Sequence, residues 1–115
     1  MRKIYHLSTC KSCQKIIAGL HNGAGFELQD IKFNNISGPE LDALKEKVGS
    51  YEALFSRRAM KFRSLGLADK KLTEADYRQL ILEEYTFLKR PVIVVDNRVF
   101  TGSSMKNVES VLKLL

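Results

Sequence analysis

The run Pro91-Val92-Ile93-Val94-Val95 sets the tightest limit on how this 115-residue chain can fold. The four residues after the proline are all β-branched and apolar, without the polar alternation of a half-exposed strand. This pattern is typical of a strand that is buried on both faces. Asp96-Asn97 and the strand-like stretch Arg98–Thr101 follow, so a tight hairpin is predicted at this point.

The first third of the chain predicts two strands joined by a helix. One short strand is expected over Lys3–Leu7 and a second over Phe26–Phe33. Between them, apolar residues recur at helical spacing, at Cys13, Ile16, Ile17 and Leu20. Because a helix connects the two strands, we expect them to be parallel, with a right-handed crossover.

The middle of the chain is predicted to be helical. Ser37 with Glu40, and Thr73 with Asp76, have the spacing of helix-capping residues. The helix that starts after Thr73 should extend to about Leu88. A terminal helix is expected to bury one stripe of apolar residues, namely Met105, Val108, Val111, Leu112 and Leu115.

In chain order these elements form a β-α-β unit, several helices and a β-β-α unit, which is the thioredoxin topology. We therefore predict an α/β fold, with a thioredoxin-like sheet and an inserted helical subdomain. The whole chain, residues 1–115, should be a single domain. Its thioredoxin-like halves are expected at about 1–35 and 88–115, and the helical insertion at about 36–87.

Composition excludes several classes of protein. With 44% hydrophobic residues the chain can build a packed core, which argues against a disordered protein. No stretch approaches the roughly 20 apolar residues that a membrane helix requires. The charged N-terminus lacks the apolar core of a secretory signal, so we expect a cytoplasmic protein without a membrane partner.

The net charge of +6 permits an anionic partner. Its densest part is the segment 56–63, which holds Arg57, Arg58, Lys61 and Arg63. No zinc-finger spacing or RNA-binding aromatic motif accompanies this segment, so direct binding of nucleic acid is not expected. Two interpretations stay open, a solvated basic surface or a face that docks an anion or a protein.

The two cysteines, Cys10 and Cys13, lie between the first predicted strand and the first predicted helix. Unpaired N–H groups at the start of a helix stabilise a thiolate, which is the attacking form of cysteine. We therefore predict Cys10 as a nucleophile and Cys13 as a resolving thiol. Lys11 and Ser12 are their candidate anion-binding or thiolate-stabilising neighbours.

Two other interpretations of the cysteine pair compete with this one. Cys13 could be an inert core residue on the apolar face of the helix. A zinc site would need four ligands, and only His6 and His21 could join the cysteines, so no metal is expected. Both histidines are expected to have structural or surface roles.

Arg90 and Pro91 directly precede the buried strand. In a thioredoxin-like sheet the X-Pro bond at this place is often cis, and its backbone then lies opposite the cysteine loop. Arg90 would lie close to Cys10 and could hold an anion or stabilise the thiolate. The alternatives are an ordinary trans proline at the start of a strand and a surface arginine.

Three segments carry a resemblance to a known family: Thr9–Cys13, Arg58–Leu67 and Leu88–Val94. Together and in this order they resemble the arsenate reductase (ArsC)/Spx family, over essentially the whole chain. The resemblance implies a thioredoxin-like domain with an inserted helical subdomain. The family's enzymes reduce arsenate through one nucleophilic cysteine, with glutathione and glutaredoxin as electron donors. Its Spx branch uses a cysteine pair as a redox switch and binds the C-terminal domain of the RNA polymerase α subunit.

By position, Cys10 matches the family nucleophile and Cys13 matches the second cysteine of Spx-like members. Arg90 matches the arginine that helps to bind the oxyanion. Arg58 matches an arginine in the inserted region of Spx-like and uncharacterised members. The chain is thus more similar to these CxxC-containing members than to true arsenate reductases.

Three functions follow as expectations. The first is a thiol–disulfide oxidoreductase without a bound cofactor, reduced by glutathione, glutaredoxin or thioredoxin. The second is an Spx-like redox-sensing regulator that binds the RNA polymerase α subunit. The third is an arsenate reductase dependent on glutathione and glutaredoxin. Arsenate-reducing members have arginines where Ser56 and Thr101 fall here. Because this chain lacks those arginines, it lacks two charge-assisted anion contacts of ~1.5–3 kcal/mol each.

Overall fold

The computed structural model describes residues 1–115 and contains one four-stranded sheet. Its strands are β1 (Arg2–His6), β2 (Glu27–Asp30), β3 (Val92–Val95) and β4 (Arg98–Thr101), in the order β2-β1-β3-β4. β1 and β2 are parallel, whereas β3 is antiparallel to both β1 and β4. This topology confirms the predicted thioredoxin-like α/β sheet.

Five α-helices accompany the sheet. They are α1 (Lys11–Gly19), α2 (Gly38–Val48), α3 (Met60–Ser64), α4 (Glu74–Glu83) and α5 (Met105–Leu112). None of these helices has both the length and the apolar composition needed to cross a membrane. The chain divides into two compact units, one made of Met1–Asn35 with Arg90–Leu115, the other of Ile36–Lys89.

The connection through α1 explains why β1 and β2 are parallel, because a parallel pair needs a crossover. Their register pairs Lys3 with Glu27 and His6 with Asp30. The carboxyl ends of both strands therefore lie side by side at one edge of the sheet. The loop that leads into α1 leaves from this edge.

The core of the first unit combines residues of the sheet with residues of α1 and α5. All four residues of β3 are buried, as the apolar run predicts. Where α1 meets α5, a Cβ on Gly19 would lie only 3.1 Å from Cγ1 of Val108, so the missing side chain permits the close approach. The buried members of this cluster are Ile4, Ile16, Leu20, Phe26, Ile93, Val95, Val108 and Val111.

The buried stripe of α5 is narrower than predicted. Only Val108 and Val111 of this helix are buried, whereas Met105, Leu112 and Leu115 are exposed. At about 100° per residue, Met105 and Leu112 lie at one margin of the stripe that Val108 and Val111 define. Leu115 lies beyond the end of the helix, so helical periodicity does not determine where its side chain points.

The second predicted strand is also shorter than expected. β2 ends at Asp30, and Phe33 is 80% exposed rather than part of a strand. The strand ends where its pairing with β1 ends, and a turn at Asp30 follows. The Asp30 carboxylate accepts a hydrogen bond from the Lys32 N–H at 3.1 Å, and the Asp30 carbonyl accepts one from the Phe33 N–H at 3.2 Å.

The second unit contains α2, α3 and α4. Both predicted capping boxes are present, Ser37 with Glu40 at the start of α2 and Thr73 with Asp76 at the start of α4. α4 does not reach Leu88 as predicted. It ends at Glu83, because the following residue is extended (φ −139°, ψ 112°) and caps a 3-10 helix over Tyr85–Phe87.

Aromatic side chains hold the interior of the second unit. Phe55 stacks on Phe87, with ring centroids 5.1 Å apart, and also contacts Tyr77 at 4.9 Å. A polar network joins α2 to α4, in which Arg78 donates to both carboxylate oxygens of Asp42, at 2.8 and 3.2 Å. The Tyr51 hydroxyl donates to the same carboxylate at 2.5 Å.

Candidate functional site

The cysteine loop, residues Leu7–Cys10, leads from β1 into α1. The Cys10 N–H donates to the Leu7 carbonyl at 2.9 Å, which closes a tight turn. Cys10 is the N-cap residue of α1, with an extended backbone (φ −91°, ψ 112°), and its carbonyl accepts the Gln14 N–H at 3.1 Å. Its sulfur is therefore placed at the start of a helix, where unpaired N–H groups favour an anion.

The two cysteines are close to each other but differ in exposure. Cys10 is half-buried, whereas Cys13 is completely buried on the inner face of α1. Both thiols are free. Of the two cysteines, only Cys10 is partly exposed to solvent.

The surroundings of Cys10 favour its thiolate. Burial by itself raises the pKa of this thiol, but the backbone N–H and the thiol of Cys13 lower it. The Arg90 guanidinium hydrogen-bonds to the sulfur and lowers the pKa further through its charge. The net result is a Cys10 pKa below that of an ordinary cysteine, and a nucleophile that ionises more readily.

Cys13 has the opposite environment. Burial raises its pKa to about 12, and the neighbouring Cys10 sulfur raises it through a hydrogen bond and its charge. A backbone hydrogen bond with Leu7 and the charge of Arg90 oppose this shift without cancelling it. Cys13 is therefore a protonated thiol at neutral pH, and Cys10 is the sulfur of the pair that ionises first.

Arg90 reaches Cys10 from the start of β3. The Arg90–Pro91 peptide bond is cis, and Pro91 is buried. The Pro91 carbonyl accepts the Gly102 N–H at 3.0 Å. Asn107 of α5 donates to the carbonyls of Thr101 and Gly102, at 2.9 and 3.1 Å. It therefore fixes the segment whose Gly102 N–H is hydrogen-bonded to Pro91.

The other predicted site residues are Lys11, Ser12 and Arg58. Lys11 and Ser12 are exposed in the first turn of α1, and the groups that lower the Cys10 pKa are Cys13 and Arg90. Arg58 belongs to the second unit, where it is exposed in the turn before α3. Its neighbour Arg57 is ion-paired with Glu52 at 2.6 Å.

Two residues that no motif marks, Asp30 and Gln14, contact the cysteine loop through Ser8. The Asp30 carboxylate accepts hydrogen bonds from the Ser8 N–H and hydroxyl, and the Gln14 side chain donates to the Ser8 carbonyl. The one sequence signal for Asp30 is its place at the end of a strand parallel to β1. No group of three or more histidine, cysteine or acidic side chains is arranged to hold a metal ion.

Solved structures with the same fold span nearly the whole chain. An arsenate reductase from Vibrio cholerae is 22% identical, with a TM-score of 0.80 over 99% of this chain and 97% of its own. A protein named YffB is 23% identical, with a TM-score of 0.82 over 96% of this chain and 97% of its own. An arsenate reductase (ArsC) related protein from Brucella melitensis is 24% identical, with a TM-score of 0.73 over 97% and 94%.

At these identities, the similarity to solved structures concerns the fold. A comparison with curated protein sequences gave no significant match. The sequence profile of the ArsC family, in contrast, matches residues 5–111. This range includes all four strands except the first three residues of β1, and it includes the complete cysteine loop with Arg90 and Pro91. The chain therefore belongs to the ArsC family.

Proposed function

We propose that this protein is a thiol–disulfide oxidoreductase in which Cys10 is the nucleophile and Cys13 is the resolving thiol. The observation that carries the proposal is the contrast between the two sulfur atoms within one turn of α1. The Cys10 pKa is lowered, whereas that of Cys13 is raised to about 12. A partly exposed thiolate next to a buried thiol suits a reaction in which one sulfur attacks first and the other follows.

The reaction has two exchange steps. The Cys10 thiolate attacks one sulfur of a disulfide substrate, and a mixed disulfide forms while the other substrate sulfur leaves as a thiolate. Cys13 then loses its proton to solvent, and its sulfur attacks Cys10 Sγ. The Cys10–Cys13 disulfide forms and the second substrate thiolate leaves, so the substrate gains the two electrons that the protein dithiol loses.

An external thiol must restore the reduced pair. A dithiol protein such as glutaredoxin or thioredoxin, or two molecules of glutathione, would do so by the reverse exchange. Arg90 supports the proposal because its positive charge stabilises the Cys10 thiolate before it attacks the substrate. The same charge stabilises Cys10 when it leaves as a thiolate during reduction of the Cys10–Cys13 disulfide. Lys11, Ser12 and Arg58 are proposed as further contacts for an anionic group of the substrate or reductant.

Trapping of the mixed disulfide tests the proposal. With oxidised glutathione, Cys13→Ser should accumulate one glutathione on Cys10, because the resolving thiol is absent. The wild-type protein should instead form an intramolecular disulfide. Cys10→Ser should form neither the glutathione adduct nor the intramolecular disulfide. Intact-protein and peptide mass spectrometry distinguish the three products. A glutathione adduct on Cys13, or no intramolecular disulfide in the wild type, would reject the assignment of roles.

The same pair of thiols is compatible with a second candidate, an Spx-like regulator that binds the RNA polymerase α subunit. A resolving thiol with a pKa of about 12 ionises rarely at neutral pH, which suits a slow switch as well as a catalyst. Pull-down of the α C-terminal domain under reducing and oxidising conditions tests this candidate. Binding that depends on the redox state would favour the regulator, and absence of binding in both states would remove it.

Arsenate reduction is a third use of the same nucleophile. At the two positions where arsenate-reducing relatives are expected to have arginines, this chain has Ser56 and Thr101, which carry no charge. Arg57, the nearest arginine in sequence to Ser56, is engaged by Glu52 and by the Tyr77 hydroxyl. An assay coupled to glutathione and glutaredoxin should therefore show no turnover above that of Cys10→Ser.

A further inference from the structure

The carboxyl end of β2 lies next to the cysteine loop. Asp30 pairs with His6, the last residue of β1, and the Ile31 N–H donates to the His6 carbonyl at 2.9 Å. The chain leaves β1 at His6 and reaches Cys10 after three further residues. Asp30 is therefore fixed by the sheet at the point where the cysteine loop begins.

The Asp30 carboxylate is an acceptor for three donors. It receives hydrogen bonds from the Ser8 hydroxyl and the Ser8 N–H, and from the Lys32 N–H at 3.1 Å. Although burial raises the pKa of Asp30, these hydrogen bonds and the nearby His6 lower it overall. Asp30 is thus ionised at neutral pH, when its hydrogen bonds to Ser8 are charge-assisted.

Ser8 is also held from the side of the helix. Its carbonyl accepts a hydrogen bond from the Gln14 side chain, which projects from the first turns of α1. Two residues later, the Cys10 N–H donates to the Leu7 carbonyl at 2.9 Å. Ser8, which lies between β1 and Cys10, is therefore hydrogen-bonded to both the sheet and the helix. Its partner in β2 is Asp30, and its partner in α1 is Gln14.

We propose that Asp30 is a positioning residue for Cys10, which it acts on through Ser8. This inference rests on the proposed function, because it concerns the reactivity of the same sulfur. The carboxylate holds the loop in the position in which the Cys10 sulfur contacts Arg90 and lies at the start of α1. Without it, Ser8 keeps its contact with Gln14 but loses its link to β2, and the sulfur loses its fixed place relative to the groups that stabilise its charge.

The direction in which Cys10 reactivity changes when Asp30 is lost distinguishes a positioning role from a purely electrostatic one. A negative charge near a thiol disfavours the thiolate, so removal of the Asp30 charge alone would make Cys10 easier to ionise. Loss of positioning has the opposite result, because the sulfur then moves away from Arg90 and the helix start. A positioning role therefore predicts a less reactive Cys10 after loss of Asp30.

The test measures the rate of Cys10 alkylation by iodoacetamide at pH 6, in a Cys13→Ser background. Asp30→Ala should slow this reaction about threefold or more. Asp30→Asn keeps an acceptor for Ser8 and should recover part of the rate, and Ser8→Ala should slow it less than Asp30→Ala does. Glu27→Gln is the matched control, because it removes a carboxylate from the same strand, and it should react like the parent protein.

Each outcome is decisive. A folded Asp30→Ala variant with an unchanged or faster rate would overturn the positioning role and leave the proposed function intact. If Asp30→Ala does not fold, parental rates in both Asp30→Asn and Ser8→Ala would overturn it. If Cys10 of the parent protein reacts no faster than free cysteine, the proposed function fails, and this inference fails with it.

Discussion

At the scale of single residues, the two cysteines show how little chemistry a sequence motif fixes by itself. Both belong to one CxxC motif, yet one sulfur faces Arg90 and a helix start while the other is completely buried. Their pKa values therefore move in opposite directions. The motif identifies the pair, and the environment assigns the roles.

Arg90 should determine how readily Cys10 ionises. Arg90→Ala removes a hydrogen bond to the sulfur and a positive charge, so the Cys10 pKa should rise. Thiolate absorbance, titrated in a Cys13→Ser background, measures this change. Arg98→Ala is the control, because Arg98 is an exposed arginine on β4, and it should leave the titration unchanged. An unchanged Cys10 pKa in a folded Arg90→Ala variant would contradict the assigned contact.

Asp42 should make the protein sensitive to acid. Its hydrogen bonds with Arg78 and Tyr51 lower its pKa from 3.8 to about 2. A carboxyl group with a lowered pKa stabilises the fold fully above the unfolded value of 3.8, and this contribution is lost as the pH falls through 2. Asp42→Asn should therefore be less stable than the wild type at pH 6, by a margin that shrinks towards pH 2.

Urea denaturation at several pH values checks the Asp42 prediction. Asp69→Asn is a suitable control, because Asp69 is an exposed carboxylate in the same unit as Asp42. Its stability difference from the wild type should change little over the same range. A constant difference between Asp42→Asn and the wild type from pH 6 to pH 2 would show that the charge of Asp42 does not stabilise the fold.

At the scale of elements, the helices differ in how they are held. α2 and α4 begin with complete capping boxes, which satisfy N–H groups at their first turns. α1 begins at Cys10 without a capping hydrogen bond from a side chain. Its first turn therefore leaves backbone N–H groups available to a sulfur anion, and packing against α5 and the sheet holds the helix in place.

The narrow buried stripe of α5 gives a prediction for this element. Val108→Ala removes two methyl groups from the contact with α1 and should cost about 1–3 kcal/mol of unfolding free energy. Leu112→Ala removes a larger but exposed side chain and should cost less than about 1 kcal/mol. Urea denaturation followed by circular dichroism compares the two. A greater loss of unfolding free energy in Leu112→Ala than in Val108→Ala would mean that the buried stripe of α5 is wider than the structure indicates.

At the scale of the whole molecule, local sequence signals predict the order of the elements. The run after Pro91, the two capping boxes and the apolar spacing after Cys10 each appear in the structure as predicted. These features depend on residues close together in the chain, so a single sequence contains the information. The cysteine site is predictable for the same reason, because a strand, a CxxC motif and a helix follow one another directly.

Features that depend on distant residues are not predictable in this way. The exposure of Phe33 depends on which part of β2 finds a partner strand, and alternation of apolar residues does not reveal it. The network of Asp42 and Arg78 joins residues 36 positions apart. The contact of Asp30 with Ser8 likewise exists only because β1 and β2 pair in one register.

The central claim is that Cys10 and Cys13 of the reduced protein are not equivalent. Brief alkylation with limiting iodoacetamide at pH 7, followed by peptide mass spectrometry, tests it directly. The lowered pKa and partial exposure of Cys10 predict that label appears on Cys10 while Cys13 stays unmodified. Equal labelling of both cysteines in the folded protein, or preferential labelling of Cys13, would contradict the account.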